Sequence, residues 1–453
     1  LQGGGVGKSL AESIVQGEPE ADIYGMAIAR YGEFTANREY IRQTTGQFYS
    51  RRFVMSYPNE QLWAGRPLKT AGAYADMTAA GARWGCSWGL ETPLYFAPQG
   101  FEENPTLKRS NAFDIVGEEC RKVRSGVGVL DISAFSRYEV TGPNAEAYLD
   151  RLLACKLPGP GRARLAPMLG HDGRLKGDLT VFNWGDGTWW IMGSYYLRQW
   201  HMRWFEDHLI DGASVRDISD IVTGFSLSGP HAHALLKRLT QDDVSSAALP
   251  FLGCKTVDIG LLRCRVARLS VAGELGYEIN CAGVEHATLR KTILAAGEGL
   301  GLVEYGYNAL LSLRLEKSFG IWSYEFRQGY TPGMTGMDRF IAWDKPDFFG
   351  KKPALKEREE GAKTVLATIE IDATDADASG YEPVWQDGKR VGYVTSGGYG
   401  HTVKKSLAMA LIDRAAATPG TELAVHIVGQ ERKARVIPAS PHDPENKATR
   451  VKA

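Results

Sequence analysis

Two carboxylates stand where the surrounding pattern is apolar. Asp178 lies within GRLKGDLTVF (Gly173–Phe182), at the mouth of a strand that continues Leu, Thr, Val, Phe. Glu278 lies between Tyr277 and Ile279 in GELGYEI (Gly273–Ile279), where an alternating strand should be substantially buried. An unpaired carboxylate taken out of water is costly, so each needs a partner from the protein or from a ligand. Two arrangements are open. The Asp could accept backbone N–H groups at a hairpin end while the Glu bridges to an arginine, or both could serve a bound molecule.

Other residue patterns carry less chemistry. Gly3–Ser9 (GGGVGKS) resembles a phosphate-binding loop, but the pattern requires Gly where Gln2 stands and a buried strand leading in. Arg314 and Glu316, two apart on a predicted helix, read as anchors for neighbouring elements. Trp322 and Tyr324 follow that helix and read as core aromatics able to line a pocket. Tyr399 and His401 sit in the Gly-rich turn SGGYGH, where a loop could overhang a site. His231 and His233, two apart on a helix, cannot share a face, and no two of the six cysteines have C-x-x-C spacing. No metal site is signalled, and the cysteines read as reduced core thiols.

The totals narrow the classes. Lys+Arg and Asp+Glu both number 53 in 453 residues, so the basic excess expected of a nucleic-acid or anionic-membrane binder is missing. No apolar run approaches the roughly 20 residues of a bilayer span. The first residues lack a signal-peptide pattern, and reduced thiols suit the cytoplasm or a mitochondrial matrix-like compartment. Hydrophobic residues at 43% are enough to fill several cores.

The elements that must position the two carboxylates show an internal repeat. EVTGPNAEAYLDRLL (Glu139–Leu153) matches SLSGPHAHALLKRLT (Ser226–Thr240), 87 positions later. Each copy reads as a strand end, a capping hydroxyl (Thr141, Ser228), Gly-Pro in the first helical turn, and an amphipathic helix. Two copies predict a duplicated α+β unit with helices packed on antiparallel sheet. Asp178 opens a hairpin turning at Gly185–Gly187, and helices are predicted over 284–299 and 307–322. Residues 8–17 read as a helix with Leu10, Ile14 and Val15 on one side. Residues 33–105 show no sustained period and read as irregular connection. From Thr364 short strands, with Asp387-Gly388 as a hairpin turn, predict a small β-barrel or sandwich. The tail SPHDPENKATRVKA (440–453) reads as a frayed end.

Asn111–Ser136 with SRYEVTGP, PMLGHDGRLKGDLTVF, GELGYEI, LRLEK and VGYVTSGGYGHTVKKSLAMAL occur in the order of the glycine-cleavage T-protein (aminomethyltransferase) family, which the chain resembles from about Asn111 to Pro438. Upstream, SYPNEQLWAGRPLKT and GLETPLYFAP are similar to the join between flavin and folate domains in dimethylglycine and sarcosine dehydrogenases. QGGGVGKSLAESIVQGEPEADI resembles the last Gly-rich turn and helix of their FAD-binding amine-oxidase domain. The resemblance implies an α+β fold: a remnant of the FAD-binding domain (1–50), an irregular connection (51–105), a pseudo-duplicated folate-binding domain (106–360), a C-terminal β-barrel (361–440) and a flexible tail (441–453).

By the same resemblance, Asp178 falls on the family's catalytic Asp, near the reacting nitrogen of tetrahydrofolate. Glu278 falls on the carboxylate that holds the pterin edge. Leu165 and Val271 occupy positions where the family has tyrosines, and Leu310 aligns with a pterin-side arginine. Trp322 and Tyr399 complete the implied folate pocket, and Gly3, Gly4, Gly5 and Val6 a partial FAD site. The implied activity is transfer of a one-carbon unit at the formaldehyde level to tetrahydrofolate. The donor is an N-methyl amine, such as dimethylglycine or sarcosine, oxidised in a missing FAD domain. The alternatives are a folate-dependent demethylase of a sulfonium or aryl ether, and a non-catalytic folate-binding module.

Overall fold

In the computed structural model, residues 3–17, 19–27 and 30–452 are described. The duplicated unit is built on two sheets. One has five antiparallel strands, in the order Arg162–Leu169, Leu175–Asn183, Trp189–Ser194, Phe135–Thr141, Ser214–Asp217. The other has six, in the order Cys254–Ile259, Leu262–Ala267, Gly276–Ala282, Val222–Ser228, Val127–Asp131, Leu302–Glu304, and only the last pair is parallel.

The repeat seen in the sequence is the strand–turn–helix step that opens each copy. Phe135–Thr141 leads into helix Ala145–Leu152, and Val222–Ser228 into helix Ala232–Leu239. The two helices bury the same register: Ala145, Tyr148, Leu149 and Leu152 in one, Ala232, Leu235, Leu236 and Leu239 in the other. That 0, 3, 4, 7 spacing is one helical stripe, laid on its own sheet's apolar face. The turn chemistry differs from expectation. Pro143 and Pro230 precede the helices, whose N-cap residues are Asn144 and His231, and no side chain caps either one.

Glycine makes the turn instead. Gly142 has φ 106° and Gly229 φ 135°, in the region that side chains other than glycine's avoid. A Cβ on Gly229 would lie 2.5 Å from the carbonyl oxygens of both Gly126 and Val123. Gly229→Ala is therefore expected to destabilise the chain by about 2–4 kcal/mol, read as a lowered denaturation midpoint. An unchanged midpoint would show that the turn tolerates a side chain.

With the helices outside, the inner faces of the two sheets meet. Ala163, Phe182 and Met192 of the first pack with Cys254 and Ala267 of the second. Beyond them the chain closes a six-stranded barrel over 364–437, lined by Ala, Val and Ile side chains. Asp387 and Gly388 form its predicted two-residue turn, with φ 48° and 74°, between the paired Gln386 and Lys389. Arg314 and Glu316 are the anchors foreseen. Arg314 donates to Glu325 Oε2 at 2.9 Å and to Ser396 Oγ at 2.8 Å. Glu316 accepts from Arg124 at 2.9 Å and from the Thr402 backbone at 2.6 Å.

Several expectations are corrected. The span 33–105 is not irregular throughout. It holds helix Arg38–Ser50, capped by Asn37 on the Glu39 and Tyr40 N–H groups, helix Tyr74–Ala79, and hairpin Ala82–Ser87/Leu90–Phe96. The hairpin turns at Trp88 and Gly89, both with positive φ, and a tryptophan there gives no turn signal. Helix 307–322 ends at Leu315, because Ser318 takes φ 54° and the Phe319 N–H returns to the Arg314 carbonyl. The tail is not frayed at its start: Lys317 Nζ donates to the His442 carbonyl at 3.0 Å and Ser440 Oγ to the Lys317 carbonyl at 2.7 Å. Cys86 is exposed, while the other five cysteines are buried thiols. Gly3–Val6 lie within helix Gly3–Gln16 rather than in a turn, and Leu10, Ile14 and Val15 stand exposed on it.

Candidate functional site

Strand alternation decides where the carboxylates point. On Leu175–Asn183, Leu179 and Val181 enter the core beneath the helices, while Phe182 enters the gap between the sheets. Asp178 and Thr180 share the Phe182 face, so Asp178 projects toward the gap. Pro167 is its cross-strand neighbour, and Leu165 lies opposite Thr180 on the same face.

Asp178 is half-buried and, among the described residues, receives no hydrogen bond from another residue and forms no ion pair. Burial pushes its pKa up to about 7, partly offset by its own backbone N–H. Burial raises the pKa of Tyr196, a hydrogen bond with Ser323 Oγ at 2.5 Å opposes that rise, and the nearby Asp178 charge adds to it. His201 is no proton partner. It sits behind the strand between Tyr138 and the Lys176 carbonyl, and burial lowers its pKa to about 4.

Glu278 comes from the opposite sheet, where it pairs in register with Ser226 and Ala267. Tyr277 and Ile279 fill the core on the other side of the strand, leaving Glu278 and Asn280 toward the gap. Glu278 is 4% exposed, and among the described residues it makes no hydrogen bond and no ion pair. Burial raises its pKa to about 7 against the pull of the Arg137 charge. The guanidinium of Arg137 is fully buried and already committed to three neutral acceptors: Asn280 Oδ1 at 2.8 Å, the Phe135 carbonyl at 2.9 Å and the Ile132 carbonyl at 3.0 Å. Of the two arrangements open to the sequence, the self-satisfied one is absent. Each carboxylate keeps its acceptor positions unfilled.

Arg137 and Tyr196 are neighbours of the two carboxylates that the sequence reading did not single out. The signal for Arg137 was a charged residue in SRYEV on a strand where Tyr138 and Val140 fill the core. Nothing local marks Tyr196.

The remaining pocket candidates separate into three places. Leu165 packs against the cluster that contains Trp322, with Tyr196 beside it. Val271 joins Leu310 in the apolar cluster under helix Phe113–Ser125. Tyr399 belongs to neither: its ring lies 4.4 Å from the Arg109 guanidinium, beside Phe113 and His401. Gly3, Gly4, Gly5 and Val6 lie exposed, and a Cβ on any of the three glycines would meet no atom within 4 Å. No group of three or more metal-ligating side chains exists among the described residues, and no helix among them is long and apolar enough to cross a membrane.

Residues 73–345 match the model of the GCVT N-terminal domain, and residues 365–443 that of the glycine cleavage T-protein C-terminal barrel domain. The chain belongs to the glycine cleavage T-protein family. A T-protein fold agrees with the crystal structure of glycine cleavage system aminomethyltransferase T from Bartonella henselae, at TM-score 0.73 and 21% identity, covering 83% of this chain and 99% of that one. Residues 16–71 match the central domain of FAD-dependent oxidoreductases, so this T-protein unit carries a piece of a second kind of domain in front. Mitochondrial dimethylglycine dehydrogenase of Mus musculus is 31% identical over 443 residues, covering 96% of this chain and 51% of the relative. Aminomethyltransferase of Bacillus subtilis is 31% identical over 328 residues, covering 72% of this chain and 90% of the relative. The chain thus spans about half the length of the dimethylglycine dehydrogenase it matches.

Proposed function

We propose that this chain binds tetrahydrofolate between its two sheets and promotes transfer of a one-carbon unit to it, within a flavin-dependent enzyme that demethylates dimethylglycine, sarcosine or a similar N-methyl amine. The observation that carries the reading is the pair of carboxylates facing one gap from opposite sheets, both without hydrogen-bond donors from the protein and both with pKa about 7. A pterin edge presents adjacent N–H donors, which a two-oxygen acceptor such as Glu278 can take together. Bound tetrahydrofolate supplies the nucleophilic nitrogen that accepts the one-carbon unit.

Asp178 then holds or takes the proton of that nitrogen. A base with pKa near the working pH is both available in its ionised form and strong enough to accept. The Arg137 charge, fixed by neutral acceptors, favours ionised Glu278 without occupying its oxygens. Leu165 and Trp322 offer apolar wall near the Asp178 face. Gly3–Val6 lie exposed on a helix, and the oxidation of the amine is assigned to the flavin domain of the parent enzyme.

Calorimetric titration of the full chain with tetrahydrofolate tests the binding step, with saturable uptake expected. Trapping free formaldehyde from the parent enzyme, with and without tetrahydrofolate, then separates a transferase from a binder. A transferase releases less free formaldehyde when folate is present, and equal release would refute the transfer step.

A further inference from the structure

A cavity of about 350 Å³ opens at the seam between the oxidoreductase-like segment and the GCVT N-terminal domain. Lys69 comes from the former, and Ser133, Asp220 and Thr223 from the latter. Its volume falls at the small end of ordinary ligand sites, roughly 300–1,000 Å³.

The inner wall is unsatisfied. Ser133 and Thr223 are 3% and 7% exposed, and neither hydroxyl has a hydrogen-bond partner, apart from a weak contact in which Thr223 faces the Cys281 sulfur as donor. Behind Ser133, whose N–H is held by Asp131 Oδ1, the second oxygen of Asp131 is also unpaired. Buried hydroxyls left empty cost of the order of 1–3 kcal/mol each, and a polar occupant recovers that cost.

The mouth carries one charge of each sign. Asp220 is fixed through Oδ1, which accepts from Arg198 Nη1 at 2.7 Å and from the Tyr195 hydroxyl. That leaves Oδ2 toward Lys69 Nζ, 3.5 Å away, while the same ammonium lies 4.6 Å from the Trp88 ring centre. The pair is half open to solvent. A simple anion would meet Asp220, and a simple cation would meet Lys69. A dipolar ion can oppose both, with its ammonium on Asp220 Oδ2 and its carboxylate on Lys69 and the two empty hydroxyls.

We infer that this cavity is a binding site for a small zwitterionic amino acid, separate from the gap that holds Asp178 and Glu278. The inference does not depend on the proposed folate chemistry.

The test titrates the full chain with glycine and N,N-dimethylglycine, and with acetate and methylammonium as single-charge probes. Saturable binding is expected for the two dipolar ions only. Lys69→Met, and separately the double variant Ser133→Ala/Thr223→Val, should weaken it by about tenfold or more. The double variant removes two orphaned hydroxyls and should melt no lower than the parent, so its lost binding is not lost folding. Both variants should bind tetrahydrofolate as the parent does. The inference fails if neither dipolar ion saturates, if acetate or methylammonium binds as tightly as glycine, or if the double variant binds like the parent. Loss of tetrahydrofolate binding with amino-acid binding intact would count against the folate reading alone.

Discussion

Replacing Asp178 with Asn in the parent enzyme is expected to lower folate-dependent one-carbon transfer by about 10²–10⁴-fold, the usual contribution of a positioned general base. Asn keeps the shape and polarity of the side chain but cannot take a proton. Tetrahydrofolate affinity, read by calorimetry, should therefore change less than tenfold. The wild-type transfer rate should rise with pH through about 7, as Asp178 ionises, and the Asn variant should lose that rise. A variant that transfers as fast as the parent would remove Asp178 from the mechanism. If affinity were lost with the rate unchanged at saturation, the residue would be one that holds the ligand.

Glu278→Gln is expected to move binding and stability in opposite directions. Gln offers one acceptor and one donor where the carboxylate offered two charged acceptors, so tetrahydrofolate binding should weaken by about tenfold or more. In the folded chain Glu278 has a pKa of about 7, against 4.5 when free of the fold. Between those values the folded state holds a proton that the unfolded state has released. Stability from this group is complete below pH 4.5, declines as pH rises toward 7, and is lost above it. Gln carries no such dependence. At pH 8 the variant should be more stable than the parent by about 1–3 kcal/mol, and at pH 4 nearly equal to it. Denaturant melts at the two pH values measure both. A variant less stable at pH 8 would mean that Glu278 serves the fold and not a ligand.

What could be read from the sequence was what repeats or alternates locally. The two Gly-Pro steps, the Asp387-Gly388 hairpin and the alternation around Asp178 and Glu278 each announce themselves within a dozen residues. Helix Arg38–Ser50 did not, since it buries none of its residues and so has no apolar stripe to detect. Arg137 was invisible as a partner of the site because its relation to Glu278 joins strands 141 positions apart in sequence and crosses between the sheets. The pocket candidates dispersed for the same reason. The resemblance groups Leu165, Val271 and Tyr399 in one pocket, but tertiary packing assigns them to three different clusters.

The duplication has a consequence for control. Each half of the folded unit supplies one carboxylate, and neither group owes its proton affinity to a dedicated neighbour. Both owe it to the dryness of the space that the halves enclose. Separation of the halves would hydrate that space and return both residues to ordinary carboxylic acids, ionised well below pH 7. Their acidity is therefore a gauge of closure. It would couple the proposed proton transfer to whether the two copies of the repeat are pressed together.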